Sequence, residues 1–448
     1  MKGIIGIEGK ENARFADGML SKIQHRGKYG KIVKMTDDFI LGAASNEKGL
    51  IIKEEKGSLI YSTSGREDTI RITADGKKIT VKRDKFGVEP LYYTYLDGGR
   101  LAIASEIKSL TQFNSDIKEL LPGHVLEEGV QKKYYELEKS PVLKWTQREI
   151  SRLLKDTLVN AVSGRIKRGK MGAWLSGGLD SSVISALLRK NVDELHTFSV
   201  GFLNAPDLRY ARIVAEHIRS HHHERIISFE NLMEALPKVI YHLESFDPLL
   251  VRSSIMNYFV SELAIEYVDE VFSGEGGDEL FAGYLYIKEM PLELVEDELI
   301  DITKRLHNTA LQRVDRCSSA FGLTAHVPFL DEKVVDLAVK IPVDYKIYDK
   351  MEKWILRLAL VDDLPNDVLM RTKSKFWEGS GIGEHFFSYA EGLISDSEFE
   401  AEREIKCGWK LSSKEELMYY RVFREHFGEL ENMNWMGRSK SVAEMAEE

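Results

Sequence analysis

Residues 173–183, AWLSGGLDSSV, constrain this chain more than any other stretch. An apolar run ends at Ser176-Gly177-Gly178, passes through Leu179-Asp180-Ser181-Ser182, and continues as the apolar-periodic VISALL. The pattern predicts a strand that turns sharply into a helix. Two adjacent glycines let the backbone reach positive φ and approach a ligand closely, while the free amides of the helix start and the serine hydroxyls point at whatever sits there. A helix N-terminus with spare N–H groups and the positive end of its dipole is an anion site, and phosphate is the anion that best fits it. The spacing GxxxxGK[ST] is absent, which excludes the common nucleotide loop.

A chain of 448 residues has room for two or three domains, each with its own core. Its formal net charge of -10 argues against a broad basic surface for nucleic acid. The two cysteines, Cys317 and Cys407, are far apart in sequence and make neither a disulfide framework nor a paired-cysteine zinc site. No signal-peptide core opens the chain, and no run approaches the roughly 18 to 20 apolar residues of a membrane span. The expectation is a cytoplasmic protein with no membrane and no nucleic-acid partner.

The first 140 residues read as strands and tight turns with one or two helices. KGIIGIE, FILGAAS and SLIYSTS are short strands, ENARFADGMLSKIQHRG has helical spacing, and hairpins turn at Ala74-Asp75-Gly76 and Asp97-Gly98-Gly99. Lys139-Ser140-Pro141-Val142 punctuates the chain. Thr146-Gln147-Arg148-Glu149 is a capping box ahead of Ile150, Leu153, Leu154, Leu158, Val162 and Ile166, a helix expected to end near Gly169. LHTFSVGF, ERIISF and DEVFSGEG then read as strands alternating with helices at LRYARIVAEHIRS, NLMEALPKVIYHLE and NYFVSELAIEYV. The fold class is therefore α/β. A β-rich α+β domain over 1–140 precedes a doubly wound parallel sheet over 146–436, whose last part is helical. Both glycine-rich blocks, residues 176–180 and 273–278, fall at strand ends where such sheets bind ligands.

The loop matches SGGxDS, the pyrophosphate-cradling loop of the ATP pyrophosphatases. Around it, SGGLDSS, TFSVGF, NAPDLRYA, HHHE, FSGEGGDELFAGY, RVDRCSSAFGLTAHVPFLD, KMEKWILR and RTKSKFWEGSG follow in the order found in asparagine synthetases. The synthetase half thus resembles that family. The resemblance implies ATP and Mg2+, with a carboxylate activated as an acyl-adenylate, pyrophosphate released, and ammonia or an amine completing the amide. It assigns Ser176, Gly177, Gly178, Asp180 and Ser181 to pyrophosphate, Trp174 and Val200 to strand ends flanking the nucleotide, and Ser273 and Gly274 to the backbone that meets it. Asp180 and Asp278 are the implied magnesium pair. Glu275 matches a glutamate that takes or orients the proton of the attacking amine, Lys353 a pyrophosphate-binding lysine, and Lys373 the lysine that stabilises developing charge. Lys375 is a second candidate for that last role.

The first half resembles the family's glutaminase domain, an Ntn-hydrolase-like fold. The blocks are GIIGI from Gly3, His25-Arg26-Gly27, RDKFGVEPLYY from Arg83, ASEIK from Ala104, and Leu121-Pro122-Gly123-His124. Those glutaminases use a cysteine exposed after removal of the initiator methionine. Lys2 stands there, no cysteine precedes Cys317, and the asparagine-glycine-glutamate block has no counterpart between residues 45 and 80. The expectation is a retained scaffold without glutaminase activity, for packing, dimerisation or shielding.

The segment that helps the family recognise aspartate carries threonines before an arginine, whereas here Phe246-Asp247-Pro248-Leu249-Leu250-Val251 precedes Arg252. Arg252 could still hold a substrate carboxylate bidentately. His326 takes the place of the arginine usual before VPFLD. The run His221-His222-His223 suggests a metal only weakly, because neighbours on a strand point to opposite faces. The alternatives to aspartate amidation are a β-lactam synthetase-like or other specialised amidation, a tRNA-modifying ATP pyrophosphatase, and a nucleotide-binding regulator without turnover. The family implies a homodimer.

Overall fold

The computed structural model describes residues 3–28, 30–45, 52–55, 58–62, 71–75, 78–113, 116–166, 170–372 and 382–439. Lys2, Gly76, Gly169, Lys373 and Lys375, singled out above, lie outside the described residues.

Two antiparallel sheets form the first part. In one, the strands run edge to edge as Lys118–Glu119, Tyr92–Tyr95, Leu101–Ala104, Gly3–Glu8, Phe39–Ala44 and Lys31–Met35. Gly3–Glu8 is central, pairing Gly3 with Ala44 on one side and Ile5 with Ala104 on the other. Its alternation separates two cores. Ile4 faces the second sheet, against Leu59, Ile72 and Val81, while Ile5 and Ile7 face the helix Ala13–Lys22 through Met19 and Leu20. The second sheet is built on Lys78–Lys82, Arg71–Asp75 and Ser58–Ser62, with His124–Glu127 and Val130–Lys133 beyond.

The second half holds a five-stranded parallel sheet ordered His221–Ile226, Leu195–Gly201, Met171–Trp174, Glu270–Phe272, Thr324–His326. The chain moves outward from Met171–Trp174 in one direction, then returns to the other side. The strand order reverses between Met171–Trp174 and Glu270–Phe272, so a crevice opens at their carboxyl ends. The core around Ile5 and Met19 continues without a break into this half, through Leu154, Val183 and Phe272 to Trp435.

Several boundaries differ from expectation. The capping box forms, with Glu149 N donating to Thr146 Oγ1 and Thr146 N to Glu149, but the helix is Gln147–Ser163 and closes on Gly164. The histidine run is itself the start of the strand His221–Ile226. Phe246-Asp247-Pro248 is a helix start, because Asp247 Oδ1 accepts from Leu250 N and Pro248 occupies the first turn, where its missing N–H costs nothing. The helix is Pro248–Ile265, several residues longer than its apolar pattern suggested. Its burial is nearly all round, which blurs the periodicity.

Candidate active site

The SGGLDSS loop closes tightly on itself. Gly177 adopts φ of +76°, and a Cβ there would sit 2.5 Å from Asp207 O, so only glycine fits. Gly178 caps the helix Leu179–Arg189, and Ser176 N donates to Ser181 Oγ at 3.2 Å. The second loop presses directly onto the first. A Cβ on Gly274 would lie 2.6 Å from Ser181 N.

Between the loops lies a cavity of about 330 Å3. Of the residues expected at the nucleotide, Trp174, Ser176, Gly178, Asp180, Ser181, Val200, Ser273, Gly274 and Lys353 line it, and so do Glu275 and Asp278. Gly177 supplies the turn behind the wall, and its carbonyl accepts from Arg371 Nη1 at 2.9 Å. Lys353, almost fully buried, places Nζ 2.5 Å from both Asp180 Oδ2 and Asp278 Oδ1. Burial works against the ammonium, but the two carboxylates outweigh it and raise the pKa of Lys353. Its backbone is held at φ of +56°, a conformation a lysine rarely adopts.

Sequence reasoning passed over four side chains at this site. Arg313 Nη2 donates to Glu275 Oε2 at 2.6 Å. Arg371 reaches Asp207 and lies 4.0 Å from the ring centre of Tyr210. Arg357 donates to Glu352 Oε1 at 2.7 Å, and Tyr284 completes the wall. Arg313, Arg357 and Arg371 all stand inside quoted sequence blocks, so an inventory of cations within those blocks would have found them.

One expectation needs correction. Arg252 does not line the cavity; its Nε donates to Glu415 Oε1 at 2.7 Å and Nη2 to Glu415 Oε2, so its fork already holds a carboxylate of this chain. The histidine run divides between two faces, as expected of neighbours on a strand. His223 stacks on His196 and His221 lies tilted beside it, whereas His222 Nδ1 meets Thr197 Oγ1 at 2.9 Å. Among the described residues no three His, Cys, Asp or Glu side chains form a group able to hold a metal. Asp180 and Asp278 nevertheless fit Mg2+, which takes one or two carboxylates and fills its shell with water and phosphate oxygens. Both oxygens already converge on one cation, the Lys353 ammonium.

The family model for asparagine synthase matches residues 153–297 and 293–447, and that for a glutamine amidotransferase domain matches 71–168. The asparagine synthetase B [glutamine-hydrolyzing] of Escherichia coli is 33% identical over 376 residues, covering 78% of this chain and 67% of the relative. The Gallus gallus asparagine synthetase [glutamine-hydrolyzing] is 32% identical, covering 82% and 75%.

The chain belongs to the asparagine synthetase family. As a member of it, the chain is an ATP-dependent ligase that forms a carbon–nitrogen bond and leaves AMP and pyrophosphate. Among the described residues no helix is long and apolar enough to cross a membrane.

Proposed function

We propose that this ligase adenylates a small carboxylate, aspartate first among candidates, and amidates it with ammonia or an amine rather than with glutamine. The observation that carries the reading is the convergence of Asp180, Lys353 and Asp278 at the carboxyl ends of two adjacent parallel strands. In this reading Ser176, Gly177, Gly178 and Ser181 cradle the β and γ phosphates, and Trp174, Val200, Ser273 and Gly274 enclose the nucleotide. Asp180 and Asp278 would hold Mg2+, which supplies charge neutralisation of the phosphates. Lys353 is then freed from its carboxylates to hold pyrophosphate, and Arg313 orients Glu275 to take a proton from the attacking amine. Lys373 keeps its proposed role at the developing charge.

The nitrogen donor follows from chemistry missing in the first half. Lys2 stands where a glutaminase places its cysteine, and an ammonium has no lone pair to attack an amide. Cys317 offers no substitute, since it is buried in the synthetase half and burial pushes its thiol up to about 12. The test is purified protein with ATP, magnesium and a panel of carboxylates headed by aspartate, with ammonium or glutamine. AMP and pyrophosphate are expected with ammonium, and no glutamate is expected from glutamine. Glutamate release would overturn the donor assignment, and absence of AMP with every carboxylate would overturn the ligase reading. A β-lactam synthetase-like amidation is the second reading. It is favoured by Leu249 and Leu250 and by the engagement of Arg252 with Glu415, and the same panel decides it.

A further inference from the structure

The peptide between Gly177 and Gly178 is the weak point of the phosphate loop. Neither residue carries a Cβ, so little besides its hydrogen bonds stops this peptide from turning over. Turning over exchanges the directions of N–H and C=O, and a carbonyl oxygen aimed into the cavity would repel an anion held at the helix start. As it stands, Gly178 N donates to Ser176 Oγ at 3.3 Å and Gly177 O accepts from Arg371 Nη1 at 2.9 Å. Gly178 lines the ligase cavity, whereas Gly177 lies behind its wall.

Arg371 is anchored for this task. Its Nη2 is paired with Asp207 Oδ1, and its guanidinium lies 4.0 Å from the ring centre of Tyr210. Asp207 and Tyr210 belong to the first turns of the helix Pro206–Ile218, the same turns that press on Gly177. A Cβ on Gly177 would meet Asp207 O at 2.5 Å and Ala211 N at 2.7 Å. The main chain of Arg371 is held as well. Its carbonyl accepts from Arg357 Nη1 at 3.0 Å, and Arg357 Nη2 donates to Glu352 Oε1 at 2.7 Å. Next in sequence to Glu352 is Lys353, whose Nζ sits 2.5 Å from Asp180 Oδ2 of the loop. These contacts close a ring, from the loop through Asp180, Lys353, Glu352, Arg357 and Arg371 back to Gly177. When pyrophosphate takes Lys353 from Asp180, as proposed above, the ring opens on the ligand side. Arg371 then keeps the loop and the Lys353 segment joined.

Resting on the ligase reading, we propose that Arg371 is a positioning residue for that reaction. It holds the Gly177 carbonyl out of the cavity and sets the spacing between the phosphate loop and Lys353, so that both close on pyrophosphate without rearrangement. It acts through the loop rather than by its charge. A guanidinium fork reaches Gly177 O and Asp207 together, whereas an ammonium in the same place reaches only one of them.

Binding to the full-length protein tests this without the acceptor carboxylate. Titration calorimetry with ATP and with pyrophosphate, each with magnesium, and with AMP compares wild type with Arg371→Lys, Arg371→Met and Asp207→Asn. Both Arg371 variants are expected to lose about 10- to 100-fold in affinity for ATP and pyrophosphate, the worth of one hydrogen bond to a charged group. AMP, which has no β or γ phosphate, should stay within a few-fold. Asp207→Asn keeps the charge of Arg371 and loosens its anchor, so it should show the same pattern with a smaller loss. If Arg371→Met does not fold, Arg371→Lys and Asp207→Asn carry the comparison. Wild-type affinities in Arg371→Lys would overturn the latch, because a bare charge would then suffice. Equal losses for AMP and pyrophosphate would overturn it too, since they mark a general loss of structure, which thermal melting of the same samples reports. Wild-type protein that binds none of the three ligands would overturn the nucleotide reading beneath it. Failure of every carboxylate in the panel above would reject the ligase chemistry, while these affinities still decide the latch.

Discussion

The guanidinium of Arg26 grips both carboxylate oxygens of Asp315, 289 residues away in sequence, with Nη1 to Oδ1 at 3.1 Å, while its Nε donates to Glu106. All three side chains are buried. Around them Arg316 donates to Glu244 at 2.9 Å and to the Ser105 carbonyl, and Lys108 bridges Glu106 and Glu244. The β-rich half is thereby welded to the helix Ala310–Ser319, which also carries Arg313 of the ligase site. The first half thus braces a helix that lines the synthetase cavity through Ala310 and Arg313.

Removing one partner from a buried ion pair strands the other charge. Arg26→Ala or Asp315→Ala is therefore expected to cost about 3–5 kcal/mol in urea unfolding. Replacing Arg26 and Asp315 together by apolar residues of similar volume should cost far less than the sum. Additive losses would show that the two charges do not depend on each other.

A second junction responds to acid. Glu119 accepts from Arg83 Nη1 at 2.6 Å and lies 2.7 Å from His307 Nδ1 on the synthetase side. Burial favours its neutral form, but His307 and Arg83 outweigh it and bring its pKa down to about 2. A depressed carboxylate contributes stability that is whole above its unfolded value, near 4.5, and is lost as pH falls from there toward 2. Melting temperatures of Glu119→Gln should be lower than wild type at pH 6, with the gap narrowing as pH falls from about 4.5 toward 2. A constant gap across that range would contradict the assignment.

The synthetase half was legible because its signals are local. Gly177, Gly274 and Gly276 are dictated by positive φ or by backbone contact, and alternation of strand and helix fixes a parallel sheet. The capping box at Thr146 marked one helix start to the residue. Less was readable where tertiary contact decides. Pro248–Ile265 is buried nearly all round and shows no amphipathic stripe to bound it. The partner of Arg252 lies 163 residues downstream, so nothing around Arg252 announces that Glu415 already occupies its fork. The junction around Arg26 was invisible for the same reason, since its members come from segments near residues 26, 106, 244 and 315.

Arg313 and Glu275 form the next testable pair. Glu275 is held at 2.6 Å by Arg313, a cation from another element. Burial opposes the charge on Arg313, but Glu275 outweighs it and raises the pKa. Arg313→Met should leave Glu275 free to swing, lowering kcat for amide formation by about 10- to 100-fold while KM for ATP stays within a few-fold. A rise in KM for ATP with kcat intact would place Arg313 on the nucleotide instead.

The tightest constraint on the site is a missing methyl group. A Cβ at Gly283 would lie 2.1 Å from Lys353 Cε and 2.0 Å from Asp278 Oδ1, so the lysine reaches its carboxylates only because residue 283 has no side chain. The clash falls on the far ends of the Lys353 and Asp278 side chains, which must shift to admit the methyl. Gly283→Ala must therefore push Nζ off the line between Asp180 and Asp278. If Lys353 holds pyrophosphate, the substitution should lower kcat/KM for pyrophosphate release about 100-fold or more, comparable to Lys353→Met, because each removes one preorganised charge from the transferring group. The double variant should be little worse than either alone, since both act on the same interaction. Full additivity would mean that Gly283 matters for something other than the position of Lys353.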